Sequence, residues 1–555
     1  MKKRGIVRCS NSLLRATLIL VALTVLVTWP QALHLATAVP DHDDPFFSMW
    51  RLGWLAHALP ADPRYLFDGN IFHPHNLTLA YGDATLLEGL LASPWLWAGA
   101  NLVLIYNLLL LTGIISSGLG MFVLVRRLTN DADAALVSAA LFSLAPYRIE
   151  HFMHLELQWT VWIPLTFWAI HRVFDHPTMW RGALAGMLLA LEVLSSLYYG
   201  VFLGMIVPGL IVLLAARRPR QARAAMGPLC LGAVLAACVL AVYAVPYFES
   251  AQVVGMRDRG ETARFSAQLA SYVTAPQHNW LWGWTSVRFE GNEHHLFPTI
   301  VAVVLAVVAV TRSTRRHFVW VYLALTILAI DLSLGLNGVV YRWLHQHIWL
   351  FQGFRAPARF AILAVCGLAI LAGFGYEHVK RYVGKSALAL VTVLVAIAVE
   401  CASVPLRLVE VPRQAPDIYV FLGKSLPTHD RSVTIEFPME SGFSPLYMFW
   451  STRHWHPLVN GYSGFTPPDY EETRTCMRTF PDARSIARLR QLNVKYILVH
   501  QAYYSEKECT ALLLAAARSP DLIPAGQYRD WIAMTQVFEL RPVADPIDGG
   551  GEHQH

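Results

Sequence analysis

The sequence predicts a polytopic α-helical membrane protein with a soluble α/β tail. Three observations predict it. Of 555 residues, 55% are hydrophobic and only 15% charged, whereas soluble domains carry about 25% charged residues. Long apolar stretches recur through residues 1–404. Residues 405–555 are polar and of domain size. This composition excludes a disordered, collagen-like or disulfide-knotted chain. The net charge of +6 reflects 44 basic against 38 acidic residues. No basic run is long enough to point to nucleic acid.

The apolar stretches begin with 16–39, behind the basic head Lys2, Lys3, Arg4, Arg8 and Arg15. Others centre on 101–125, 133–147, 159–171, 183–197, 200–216, 226–246, 297–311, 318–336, 358–376 and 386–404. A span needs about 20 apolar residues, so the pattern predicts about eleven transmembrane helices, the shorter ones tilted, extended or buried. The piece 84–99 holds Glu88 and Pro94 and reads as an interfacial or re-entrant helix. With the N-terminus in the cytoplasm, each short cytoplasmic turn is basic: Arg126/Arg127, Arg172/Arg181, Arg217/Arg218/Arg220/Arg223, Arg312/Arg315/Arg316 and Lys380/Arg381/Lys385. The positive-inside rule requires this. The opposite face then carries the outer loops 37–100, 148–158, 247–296 and 337–357, and the tail. The first segment also mimics a signal peptide, with Ala36-Thr37-Ala38 at a cleavage-like position. Its length and the later spans favour a retained helix. The domain reading is 1–404 in the membrane and 405–555 as a soluble extracytoplasmic domain.

In the tail, 432–437 alternates like a strand, 483–492 reads as a helix leading into a strand at 496–499, and 511–518 reads as a helix. Residues 545–555, with Gly549-Gly550-Gly551, are expected to fray. Cys476 and Cys509 lie in the tail; a bridge and two free thiols both fit their spacing. No Cys/His spacing matches a structural zinc site.

Three clusters carry chemistry. Asp41-His42-Asp43-Asp44-Pro45 crowds three carboxylates just after the first apolar stretch. Crowding raises one pKa and suits general-base work or cation binding. The alternative is a solvated turn with Asp44 as N-cap and Pro45 at N1. Glu150-His151-Phe152-Met153-His154-Leu155-Glu156 places Glu150 and His154 four apart, hence on one face of a helix. That spacing fits a metal or phosphate subsite, or an interfacial helix facing water. Phe354-Arg355-Ala356-Pro357-Ala358-Arg359-Phe360 offers two guanidiniums for a bidentate phosphate clamp, or for snorkelling to headgroups. Gly384-Lys385-Ser386 and Gly423-Lys424-Ser425 resemble a P-loop ending, but Val379 and Ile418 replace the required glycine. No Rossmann pattern, H-E-x-x-H or G-x-S-x-G occurs.

With these residues the chain resembles the GT-C superfamily of membrane glycosyltransferases, near its bacterial mannosyltransferase-like and YfhO-like groups. The resemblance rests on Asp43-Asp44-Pro45 followed by Trp50, Trp54 and His57. It also rests on 66–74 (LFDGNIFHP), Pro146-Tyr147-Arg148, His154-Leu155, the stretch 354–360 and the tail stretch 457–465 (PLVNGYSGF). It implies an extracytoplasmic site in a bacterial inner membrane, where a sugar passes from a polyprenyl-phosphate donor to a glycan, lipid or protein acceptor. It implies Asp43 and Asp44 as catalytic residues, with Asp43, in the leading position of the family's acidic pair, as the expected base and Asp44 as the alternative. Arg355 and Arg359 would bind the donor phosphate, and Glu150, His154 and Glu156 the substrate. The pair is Asp-Asp where relatives often carry Asp-Glu, and the second acidic motif of the metal-dependent members has no clean match. No cofactor is expected; a divalent cation lacks a clear motif.

The expected reaction is inverting transfer, with a carboxylate as base and arginines holding the leaving phosphate. Loop 247–296, with Arg257-Asp258-Arg259 and Tyr272, is a candidate cover over the donor. Two other classes compete. A transporter or flippase of lipid-linked glycans would show internal repeats and charges inside spans. No repeat is visible, and Glu192, Asp331 and Glu400 are the few intramembrane acids. A non-catalytic envelope-assembly protein would not need an intact Asp43/Asp44 pair.

Overall fold

The computed structural model describes residues 2–383, 387–425, 432–530 and 532–542. The stretch 545–555, expected to fray, and Gly384-Lys385-Ser386 lie outside them. The chain divides into two compact units. One holds Met1–Pro63 and Asp83–Val411; the other holds Arg64–Gly82 and Pro412–His555.

The first unit is helical and membrane-embedded. Among the described residues, five of its helices are long and apolar enough to cross a bilayer: Leu102–Thr129, Leu197–Arg217, Pro219–Val254, Arg316–Ser333 and Pro357–Tyr382. Asn11–Val27, Ile300–Arg312 and Ala387–Cys401 are apolar but shorter. The expectation of eleven spans is therefore corrected to five by length and composition. The reason is where helices stop. The stretch 133–147 gives the 12-residue helix Ala132–Ser143, about 18 Å long against a bilayer core of about 30 Å. The stretch 159–171 gives the 14-residue helix Trp162–Asp175. Ser196 is extended and ends Met179–Ser195 after 17 residues, then caps Leu197–Arg217 by accepting from the Tyr199 amide. The piece 84–99 forms the 12-residue helix Leu86–Trp97.

Local chemistry sets the other ends. Asn101 caps Leu102–Thr129 by accepting from the Leu104 amide, and Asn130 closes it in the left-handed conformation at φ 60°. Two of the acids expected inside spans are tertiary caps. Glu400 accepts from the Ile300 and Val301 amides, both at 3.0 Å. Asp331 accepts from Val339 and Val340 at 3.0 and 2.8 Å. Each thus satisfies orphan donors at a helix start. Helices Met179–Ser195 and Pro219–Val254 pack backbone to backbone at Gly182 and Gly186. A Cβ there would sit 1.8 Å from the Pro228 oxygen and 2.0 Å from the Gly232 oxygen. Small residues permit this approach. The two-residue strands β1 (Ala38–Val39) and β2 (Val409–Glu410) pair antiparallel within the same unit.

The second unit is α/β. Its strands are β3 (Val433–Phe437), β4 (Val494–His500), β5 (Leu522–Arg529) and β6 (Met534–Leu540), in the order β3-β4-β6-β5. β3 and β4 are parallel, and the other pairs antiparallel. The crossover from β3 to β4 contains helices Ser444–Ser451, Pro468–Met477 and Ala483–Gln491. All five β3 residues are buried, so this strand is covered on both faces instead of alternating. Cys476 and Cys509 are free, buried thiols.

Residues 64–82 belong to this unit and not with the rest of loop 37–100. The reason is a backbone zipper. The Leu458 amide donates to Asn70 O at 2.7 Å, the His73 amide to Leu458 O at 3.0 Å, and the Phe72 amide to Asn460 O at 3.2 Å. The Asn70 side chain donates to Ser451 Oγ and to the His456 carbonyl. Gly461 lies against the Phe72 ring, where a Cβ would meet ring atoms at 2.5 Å. Two motifs far apart in the chain, the 66–74 and 457–465 stretches, therefore form one structural element.

Candidate functional site

The acidic turn leads into helix Asp44–Ala61. Asp43, not Asp44, occupies the N-cap position, and its side chain makes no cap hydrogen bond. The capping alternative is corrected accordingly. Asp43 is half-exposed, with His42 Nδ1 at 3.6 Å. Asp41 accepts from the His42 amide at 2.7 Å. Burial pushes the Asp41 carboxyl up; the amide bond opposes this, and the Asp43 and Asp44 charges add to it. Asp44 Oδ2 lies 3.3 Å from His154 Nε2, with the two side chains 25% and 17% exposed. A partly open acid–imidazole pair therefore sits at the helix start.

His154 is placed by a stapled turn. Helix Pro146–Glu150 is only five residues long and ends at His151. Buried Arg148 donates to the Gln158 carbonyl at 2.7 Å, and Gln158 Nε2 donates back to the His151 carbonyl at 2.8 Å. Tyr106 Oη donates to the Met153 carbonyl at 2.9 Å. The expected shared helix face of Glu150 and His154 does not form, because the helix stops between them. Glu150 instead meets His295 Nδ1 at 2.6 Å. Glu156 receives a hydrogen bond from Arg51 Nη2 at 2.9 Å, both groups buried. Burial pushes the Glu156 carboxyl up, but the Arg51 charge outweighs it and holds the group below its ordinary value. Arg51 also donates to the Asp83 carbonyl. Burial and the Glu156 charge push the Asp83 carboxyl up to about 7, although Arg51 and the Leu197 amide oppose it.

The arginine motif is also rearranged. Arg359 is buried, with Nη2 2.6 Å and Nε 2.8 Å from Glu293 Oε1. Glu293 is held down at about 2: burial raises it, and Arg359 more than reverses that. The Arg355 side chain is 35% exposed and 3.8 Å from Glu261. Arg257 reaches the other oxygen of Glu261 at 3.4 Å. Tyr198 joins the two arginines: its hydroxyl accepts from the Arg355 amide at 3.2 Å, and Arg359 lies over its ring at 5.3 Å. The symmetrical two-arginine clamp is therefore corrected to one internally paired guanidinium and one open one.

His151 connects the two halves. Its ring is 5.6 Å from His154 and 4.8 Å from Tyr147, with Nε2 3.7 Å from Glu293. Neither of its ring nitrogens has a hydrogen-bond partner. Burial pushes it down to about 3, so it is neutral at pH 7. His154 Nδ1, His295 Nε2 and Glu293 Oε2 are likewise buried without a hydrogen-bond partner. The cluster thus retains polar capacity on several atoms.

Asp44, Glu150, His154, Glu156, Arg355 and Arg359 are all tied into this network of the first unit. Tyr272 is not: it hydrogen-bonds Ser333 at 2.8 Å. Asp258 is the N-cap of helix Arg259–Arg264, accepting from the Glu261 amide. Sequence reasoning quoted His151 only within the 150–156 run and missed Arg51, Asp83, Glu293 and His295. The signal for the last two was Asn292-Glu293-His294-His295, a polar run close before the apolar helix Ile300–Arg312. Among the described residues, no group of three or more His, Cys, Asp or Glu side chains is placed to hold a metal ion.

Fold and cluster together define a membrane-embedded helical protein with an acid–histidine–arginine site beside its apolar helices. Residues 51–400 match the sequence profile of a domain of unknown function, DUF6311, and the chain belongs to that family. Comparison with the curated proteins finds no match.

Proposed function

We propose that the protein is a GT-C-type glycosyltransferase that moves a sugar from a polyprenyl-phosphate donor to an acceptor hydroxyl. The observation that carries this reading is the part-exposed Asp44–His154 pair, 3.3 Å apart, in one network with the open guanidinium of Arg355. Asp44 takes the proton of the acceptor hydroxyl, and His154 orients its carboxylate. The acceptor oxygen forms a bond to the anomeric carbon as the carbon–phosphate-oxygen bond breaks. The electron pair leaves on polyprenyl phosphate, whose negative charge Arg355 balances. Arg359, already neutralised by Glu293, positions Tyr198 and the segment bearing Arg355. Asp44 is preferred over Asp43 because its imidazole partner, His154, is mostly buried and held by the stapled turn, whereas the imidazole beside Asp43 is its exposed chain neighbour His42. Glu150 and Glu156 act through His295 and Arg51 to hold the turn that carries His154.

In this reading the N-terminus is cytoplasmic in a bacterial inner membrane. The acidic turn, loop 247–296 and the second unit lie outside. Lipid attachment of the donor accounts for activity without a nucleotide-binding fold. The test is to incubate the purified, membrane-reconstituted protein with a panel of polyprenyl-phosphate sugars and follow release of polyprenyl phosphate. Release with one donor supports the reading. Movement of intact lipid-linked glycan between leaflets, with no release, would favour the transporter class instead.

A further inference from the structure

Away from the acidic cluster, three helix ends of the first unit meet around a basic cleft. Its volume is about 530 Å³, and Arg126, Arg127, Asn130, Arg172, Asp175 and Arg181 line it. Arg126 and Arg127 close helix Leu102–Thr129, Arg172 closes Trp162–Asp175, and Arg181 opens Met179–Ser195. Asp175 is the one carboxylate in the lining. It is already engaged by Arg127 and, at 3.2 Å, by Arg218. Arg126, Arg172 and Arg181 have no carboxylate partner among the described residues. Arg181 is pinned by a 2.6 Å hydrogen bond to the His176 carbonyl, and Arg172 lies 5.0 Å over the Trp168 ring. Fixed guanidinium forks with unspent donors match a phosphate oxygen set.

A second cleft of about 280 Å³ adjoins the first through the shared Arg172 and Arg181. Its remaining lining is mainly apolar: Trp168, Ala169, Trp180 and Leu184. Trp180 is 75% exposed. Across these two adjoining clefts the lining therefore changes from cationic to aromatic and aliphatic at the end of a membrane-length helix. Indole side chains favour the headgroup level of a bilayer, and basic pockets between helices bind anionic headgroups.

We propose that these adjoining clefts bind an anionic phospholipid, its phosphate among Arg126, Arg172 and Arg181 and the start of its acyl chain along Trp168, Trp180 and Leu184. The charge excess selects an anion, and the apolar half selects one with a hydrocarbon chain. A soluble phosphate would use the first half alone. The site is independent of the glycosyltransferase reading.

The test is native mass spectrometry of the full-length protein in detergent, titrated with phosphatidylglycerol, phosphatidylcholine and glycerol phosphate. Phosphatidylglycerol is expected to bind at least about tenfold more tightly than phosphatidylcholine, since each charge-assisted contact is worth about tenfold or more. Arg126→Gln, whose residue has no ion-pair partner to lose, is expected to weaken phosphatidylglycerol about tenfold and leave folding intact. Arg172→Gln/Arg181→Gln should weaken it further. Trp168→Ala/Trp180→Ala should weaken phosphatidylglycerol but not glycerol phosphate. Equal binding of the two lipids, or unchanged phosphatidylglycerol binding in Arg126→Gln, would overturn the proposal. Glycerol phosphate binding as tightly as the lipid would overturn its acyl half.

Discussion

His154 in the first unit and His500 in the second both meet carboxylates, yet their surroundings differ in kind. His500 is 2% exposed and held at both ring nitrogens: Nε2 is 2.7 Å from Glu436 and Nδ1 is 2.6 Å from Asp530. Tyr419 donates to the same Glu436 oxygen at 2.6 Å, Thr535 donates to Asp530 at 2.8 Å, and Tyr447 stacks on the ring at 4.9 Å. Burial alone would lower this histidine, but the two carboxylates outweigh it and push it up to about 9. It is a buried cation that joins β4 to β3 and to the turn before β6. His154 has one carboxylate, stands partly open, and leaves Nδ1 without a partner. A histidine with both nitrogens committed holds structure. One with an open partner and unsatisfied neighbours is free to work on a ligand.

The largest effect expected separates the two arginines. Arg359→Met leaves Glu293 buried and charged without its partner, which costs about 3–5 kcal/mol of stability. Denaturant or thermal unfolding in detergent measures this. Glu293→Gln/Arg359→Met together should recover much of the loss, since removing both charges removes the unpaired one. Equal loss in single and double variants would deny that the pair is structural.

Next comes the pH dependence of the second unit. The folded value for His500 is raised from 6.5 to about 9. The folded state therefore holds the proton more tightly than the unfolded state. Its stabilising contribution is full below pH 6.5 and is lost as pH rises through about 9, on the order of 3 kcal/mol. The protection factors of the β4 amides in the whole protein, corrected for the intrinsic rise of exchange with pH, should fall across that window. His500→Gln should flatten the dependence. A β4 that becomes more protected between pH 6.5 and 9 would contradict the bracketed cation.

A smaller effect is expected at Arg355. Its side chain is part-exposed and weakly paired, so Arg355→Ala should leave the melting temperature almost unchanged. Donor affinity should fall by about 1.5–3 kcal/mol, the worth of a charge-assisted hydrogen bond. Isothermal titration with a polyprenyl-phosphate sugar separates this from the structural loss at Arg359.

What the sequence revealed follows the range of the interactions. Local composition marked the acidic turn, the 150–156 segment and the 355–359 segment, and all three enter the cluster. Their partners were hidden because they are distant in the chain. Glu150 and His295 are 145 residues apart and share no periodic pattern. Apolar content located the helices of the first unit, but lengths depended on breaks such as Ser196 and Leu144, which hydropathy does not register. In the tail, the apolar run of β4 was readable. β5 was not, because Pro524 and Gly526 interrupt it; its register shifts between those two residues at the edge of the sheet. Such residues are tolerated at edges and bulges. The 66–74 stretch read as loop because its pairing partner lies in the tail.

The central claim is that Asp44, not Asp43, is the base of a sugar transfer. Polyprenyl-phosphate release by the reconstituted wild type, Asp43→Asn and Asp44→Asn tests it most directly, with the same donor and with binding checked for each. Asp44→Asn should lower turnover by about two to four orders of magnitude and leave donor binding nearly intact. Asp43→Asn should stay within about a few-fold of wild type, since Asp43 makes no cap hydrogen bond that asparagine would lose. Full turnover in Asp44→Asn, or the large loss appearing in Asp43→Asn instead, would contradict the assignment.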